Sequence, residues 1–253
     1  MNWVALDVGL LGWPFLAGLA VLATHVPLGR EVLNRGIVFV DLAVAQIVVL
    51  GLVAAQSLGW ETVGWQTQAV AAASALAASG LLAAMERQWP NIQEPLIGVL
   101  FVLAASLAAL LSAHDPHGGE HLRDLLVGQI LWVGDSMVAY AGALSAILLL
   151  LWYRYGGRHP WVFYLCLALS VTASVQLVGV YLVFASLILP ALAVRRLAVR
   201  RALAIGMGVG LAGYGLGLAA SALFDGPSGP VIVVALTRAA RAGARAGSAS
   251  AAS

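Results

Sequence analysis

Cysteine occurs once in 253 residues, at Cys166, and charged side chains make up only 9% of the chain. A single thiol set in an apolar run excludes both a disulfide framework and a thiolate metal cluster. The shortage of charge, against roughly 25% in soluble domains, excludes an ordinary water-soluble globule. The catalytic patterns HExxH and GxSxG are missing, and no pair of aspartates sits inside apolar runs to serve as acid and base, which argues against an intramembrane enzyme. The net charge of +2 does not point to a nucleic-acid partner, because the arginines gather at the ends of apolar runs, where orientation across a membrane accounts for them.

What the chain has in quantity is apolar sequence: 62% hydrophobic residues and a mean hydropathy of +0.95. At about 20 residues per crossing, the length fits eight or nine helices with short connections and leaves little for a soluble domain. The expected fold is all-α, a polytopic integral membrane helix bundle of about eight to nine transmembrane helices, one or two of them short or re-entrant. A single transmembrane domain is expected over 1–240. The remainder, 241–253, is basic and then small and polar, which predicts a disordered tail.

Residues 1–11 lack the basic start and cleavage site of a signal peptide, so a retained first helix is expected over about 12–28. Arg30 and Arg35 in PLGREVLNRG then mark a cytoplasmic turn, placing the N-terminus outside and the C-terminus inside. The second helix, about 37–57, contains Asp41 near its start. A carboxylate there is costly unless solvated, paired or bound to a cation, although the helix dipole also favours negative charge at that end. Both a structural role and a metal contact fit. Gln46 is the nearest polar residue on the helix, and five positions of a regular helix turn it roughly 140° away from Asp41.

Trp60 and Trp65 mark the next membrane interface, and an alanine-rich third helix follows over about 66–86. Glu94-Pro95 opens the fourth. The densest polar cluster comes after it: His114, Asp115, His117, Glu120, His121 and Asp124, on the external side by counting crossings. These imidazoles and carboxylates are what zinc or manganese would meet, and the Gly118-Gly119 pair would let the loop fold around an ion. The spacing matches no closed structural site, and an ordinary solvated loop fits as well.

A fifth helix, about 134–153, ends at Arg154. From Trp161 to Val194 there is no charge, which leaves about 17 residues per leg for a run that goes out and back. Ser170, Thr172, Ser174 and Gln176 lie between the legs, fitting either packing hydrogen bonds or an aqueous path. Gly179 and Pro190 interrupt the second leg, and such breaks persist in a membrane only where neighbouring helices or a cavity satisfy the freed backbone. The run stops at Arg195 and Arg196. The last full helix carries Gly206, Gly208, Gly210, Gly213, Gly215 and Gly217, a small-residue pattern for close contact inside the bundle or between two copies.

Four segments together resemble the zinc/manganese (ABC-3 type) permeases of ABC transporters: PLG followed by GIVFVDLAVAQIVVLG, then DLLVGQILWVG, then VGVYLVFASLILPALAVRR, and finally FDGPSGPVIVV. They occur in the family's order and span most of the chain. The resemblance implies a multi-pass subunit of the bacterial inner membrane that pairs with a second copy and binds a cytoplasmic ABC ATPase. It also implies that the subunit receives zinc or manganese from an external solute-binding protein. ATP would act through the partner subunit and no cofactor would be permanently bound; the lack of GxxxxGK[ST] agrees with a separate ATPase. On this reading Asp41, with Gln46 as a weak companion, contacts metal in the translocation path, and the 114–121 loop captures it outside. Gly179 and Pro190 serve packing or gating, while Arg154, Arg158, Arg195 and Arg196 face the ATPase. Two departures stand out. Position 45, where the family places a histidine four residues after its aspartate, is Ala45; and only Arg154–Pro160 separate the fifth run from the sixth, where the family has a longer docking loop. An ATP-independent metal channel or secondary carrier, or a degenerate permease-like partner subunit, therefore stays open.

Overall fold

The computed structural model describes residues 8–60, 65–113, 127–128, 130–156 and 159–251. Among them are nine helices and no strand: α1 (Val8–Arg35), α2 (Val40–Ser57), α3 (Trp65–Gln88), α4 (Gln93–Ser112), α5 (Asp135–Tyr155), α6 (Pro160–Val178), α7 (Val180–Ala193), α8 (Val199–Phe224) and α9 (Ser228–Ala251). Short 3₁₀ turns occupy Pro90–Ile92 and Ile130–Trp132. Seven helices, α1 to α6 and α8, are long and apolar enough to cross a membrane. Lipid offers no partner for backbone N–H or C=O, so a chain this apolar resolves into helices that satisfy their own backbone. The chain is a polytopic helical membrane bundle.

Burial sorts the helices into centre and rim. α6 is the most enclosed span, with Phe163, Tyr164, Cys166, Leu167 and Ala168 fully covered. α4 and α5 present Val99, Leu110, Ile147 and Leu150 outward, as helices facing lipid do. The glycines of α8 work inside the bundle. Gly206 lies against Val26 and Gly210 against Leu22 of α1, while Gly213 and Gly217 lie against Leu236 and the Ile232 backbone of α9. A methyl group at Gly217 would come 2.5 Å from Ile232 Cα, so this α8–α9 approach requires glycine.

The uncharged run after Trp161 does go out and back. Phe163, near the start of α6, lies under Arg35 at the end of α1, and Ala191, near the end of α7, lies against Gly29 on the same half of α1. The two legs are unequal, 19 and 14 residues, and they part at a single residue, Gly179, whose φ of 80° and ψ of 162° suit glycine. There the chain meets two other segments: a Cβ on Gly179 would strike the backbone of Val127 and Gly128, and one on Gly229 would strike the Val127 carbonyl. Gly128 has a φ of 73° and the same backbone contact in reverse. Irregular backbone here is covered by backbone, as burial in lipid demands.

Two expectations need correction. PLGREVLNR is not a turn: α1 runs helically through Pro27 to Arg35. Pro27 removes one N–H, a loss that a membrane helix tolerates when packed on all sides, and Val26, Leu28 and Val32 are buried. The stretch 241–251, read as disordered, continues α9 as helix, because alanine and arginine are strong helix formers and the helix is already nucleated upstream.

Candidate functional site

Asp41 stands in the first turn of α2, 1% exposed; among the described residues neither carboxylate oxygen has a well-formed hydrogen bond, the backbone N–H groups of Asp41 and Leu42 being the donors that act on it. Its place is framed by two aromatic and acidic neighbours. Phe39 stacks on Phe184 of α7 with ring centroids 6.5 Å apart and planes 6° from parallel, which seats the start of α2 against α7. The Phe39 N–H donates to Glu94 Oε1 at 3.3 Å, so the acid that opens α4 caps α2. Glu94 Oε2 is buried without a partner, and the carboxylate is near enough to Asp41 for the two to act on each other electrostatically. Among the described residues, three of the four carboxylate oxygens at this corner thus make no well-formed hydrogen bond. Two acids desolvated side by side with no cation repel one another, and a divalent ion bound between them reverses the sign of that interaction.

Gln46 is buried further along α2 and makes no hydrogen bond to Asp41. The helix register places the amide away from the carboxylate, as five residues of rotation require. Glu94 is the companion that sequence reasoning missed. Its signal was present: an acid at the head of an apolar helix, where it needs either water or a partner.

Glu94 is positioned through its neighbour. Gln93 Nε2 donates to Tyr164 Oη at 2.7 Å, and the Leu82 carbonyl lies 3.5 Å away, pinning the first turn of α4 between α3 and α6. Tyr164 and Phe163 in turn lie beneath the Arg35 guanidinium, 5.7 and 4.4 Å from ring centre to Cζ.

A second polar group lies within the bundle. His25 of α1 is fully buried; its Nδ1 lies 2.9 Å from the Val21 carbonyl, 3.1 Å from Thr24 Oγ1 and 3.4 Å from Ser170 Oγ of α6. Ser170 Oγ donates to Thr24 Oγ1 at 2.7 Å, and Thr24 Oγ1 to the Val21 carbonyl at 3.1 Å. His25 Nε2 has no partner. This histidine too had a sequence signal, an ionisable side chain within an apolar run. The other α6 polar residues divide by face: Thr172 bonds its own helix at Ala168, and Gln176 accepts from Gln68 of α3 at 2.7 Å.

His114, Asp115, His117, Glu120, His121 and Asp124 lie outside the described residues, as does Arg158. Among the described residues no three of His, Cys, Asp and Glu gather into a preformed metal centre. Gly179 makes the α6–α7 break, and Pro190 lies inside α7. Its missing N–H removes the helical bond to the Ser186 carbonyl, and Ser186 Oγ pairs with Tyr214 Oη at 2.9 Å. Arg195 and Arg196 are exposed in the turn between α7 and α8, and Arg30 Nη1 donates to the Val199 carbonyl at 3.1 Å, fastening α1 to that corner. Arg154 lies over its neighbour Tyr155, 5.2 Å from Cζ to ring centre, at the other connection. An open cleft of about 460 Å³ between the end of α2 and the start of α3 is lined by Trp60, Trp65, Gln66 and Val70, away from Asp41.

The fold has a solved counterpart in PsaBC from Streptococcus pneumoniae, in complex with Fab: TM-score 0.74 at 18% identity, covering 92% of this chain and 90% of that one. No curated protein matches the chain. The sequence model of the ABC 3 transport family matches residues 8–155 and 159–242, all but a few of the residues that build the bundle and its acidic corner; the chain is a transport permease and belongs to the ABC 3 transport family.

Proposed function

We propose that this chain is the membrane-spanning permease of an ATP-driven importer for a divalent transition metal, zinc or manganese, working in the bacterial inner membrane as a pair of copies. A cytoplasmic ABC ATPase supplies the energy and an external solute-binding protein supplies the ion. Its Arg35 end faces the cytoplasm, in keeping with the excess of arginine there. The observation that carries the reading is the buried, unpartnered Asp41 carboxylate beside Glu94. Oxygen donors without fixed partners are what a transport site needs: enough charge to attract a divalent ion and too few ligands to retain it.

Metal accumulation into vesicles holding this chain and its ATPase, with ATP present or withheld, tests the proposal. Accumulation only with ATP is the expected result. A secondary-carrier reading draws on one observation, that just residues 156–159 connect α5 to α6 where an ATPase would dock. Accumulation that follows the metal gradient without ATP would establish that reading in place of the importer.

A further inference from the structure

The His25 ring presents a bare nitrogen lone pair to the inside of the bundle. A carbonyl oxygen only accepts, so Nδ1, 2.9 Å from the Val21 carbonyl, carries the proton. In the neutral imidazole that leaves Nε2 unprotonated, and it is buried with no donor near it. A charged ring would bury a cation to which, among the described residues, no carboxylate is hydrogen-bonded. Neither neighbouring hydroxyl donates to Nε2: Ser170 gives its proton to Thr24 Oγ1, and Thr24 gives its own to the Val21 carbonyl. A histidine whose Nδ1–H is held by a backbone carbonyl while Nε2 stays free is arranged as metal-binding histidines are.

Depth agrees with a place along a permeation path. His25 is ten residues from Arg35, about 15 Å along α1 at 1.5 Å per residue, near the middle of a hydrocarbon core about 30 Å thick. Asp41 and Glu94 offer only oxygen, a donor that suits magnesium and calcium as well as manganese. An imidazole nitrogen favours transition-metal ions, zinc most clearly, over magnesium and calcium.

We propose that His25 Nε2 is a ligand for the transported ion, a contact separate from the acidic corner, and that it sets the preference for transition metals over magnesium and calcium. This rests on the metal-transport reading above.

The test uses the full chain with its ATPase in vesicles. Zinc or manganese accumulation is measured at rising magnesium, for wild type, His25→Ala, Ser170→Ala and Asp41→Asn. His25→Ala should lower the transition-metal-to-magnesium selectivity about tenfold or more, and Co²⁺ added to the purified chain should lose its nitrogen-ligand absorption. Ser170→Ala breaks the α1–α6 hydrogen bond and leaves Nε2 in place, so it should keep wild-type selectivity. Unchanged selectivity in His25→Ala overturns the proposal; so does an equal loss in Ser170→Ala, which would make the role structural. Normal accumulation by Asp41→Asn would instead count against the acidic corner, whatever His25 does.

Discussion

Arg35 Nη1 donates to Glu86 Oε1 across 2.7 Å, and this one contact ties the end of α1 to the end of α3. The same guanidinium holds Glu31 through Nε at 2.8 Å and covers the Phe163 ring of α6. Planar, forked and weakly hydrated, arginine can bridge two carboxylates and stack on an aromatic face at once; an ammonium cannot. Through Tyr164 and Gln93 the cluster extends to the turn that places Glu94. Arg35→Ala should therefore cost about 2 kcal/mol, and Arg35→Lys should recover only part of it. Thermal unfolding of the detergent-solubilised variants measures both; equal midpoints for Lys and Arg would show that charge alone matters.

The backbone junction at Gly128, Gly179 and Gly229 yields a paired prediction. Alanine at Gly179 pays about 1–2 kcal/mol for its positive φ and also meets the Val127–Gly128 backbone. Gly208, helical with open space around it, should accept alanine with a gain of up to about 1 kcal/mol. Unfolding midpoints moving in opposite directions would bear this out. A Gly179→Ala variant as stable as wild type would mean that the junction opens readily.

Much of this arrangement was legible in the sequence, for identifiable reasons. Apolar runs give spans because the bilayer fixes their length, and Asp41 announced itself because burying a carboxylate is costly. What brought Glu94 to Asp41 was not legible: they are 53 positions apart, and their meeting depends on α4 packing beside α2 and on Gln93 being caught by Tyr164. Gln46 illustrates the converse, since nearness in sequence gave it no place beside the carboxylate. The course of α1 through Pro27 and of α9 to Ala251 escaped the reading because charge marks where a helix leaves lipid, not where it ends.

The acidic corner should trade stability for transport. Asp41→Asn puts a neutral amide in place of a buried carboxyl group with which no cation among the described residues is paired, so without metal the variant should unfold at a temperature at or above that of wild type. Its ATP-dependent metal accumulation should fall by a factor on the order of 100. Glu94→Gln keeps an oxygen for the Phe39 N–H and loses the charge, so a smaller drop, about tenfold, is expected. A variant that transports normally at either position would remove that carboxylate from the path.

Two connections at the Arg35 end offer an ATPase a route for moving this bundle. Between α5 and α6 there are four residues, too few for a separate docking element, and Arg154 is occupied with Tyr155. Between α7 and α8 the chain exposes Arg195 and Arg196, the first turn of α8 exposes Arg200 and Arg201, and Arg30 fastens the same corner to α1 through the Val199 carbonyl. A push there would reach α1, which carries Arg35 and His25, and, along α7, Phe184, which stacks on Phe39 two residues before Asp41. Replacing Arg195 and Arg196 together by alanine should therefore weaken ATPase association or uncouple hydrolysis from uptake by about tenfold, as the loss of two contacts worth roughly 0.7 kcal/mol each would do. Arg154→Ala should leave both nearly unchanged. ATP hydrolysis and metal uptake, measured on the same vesicles, give the coupling ratio for each variant. The opposite ranking, with Arg154→Ala the more damaging, would assign docking to the short α5–α6 connection.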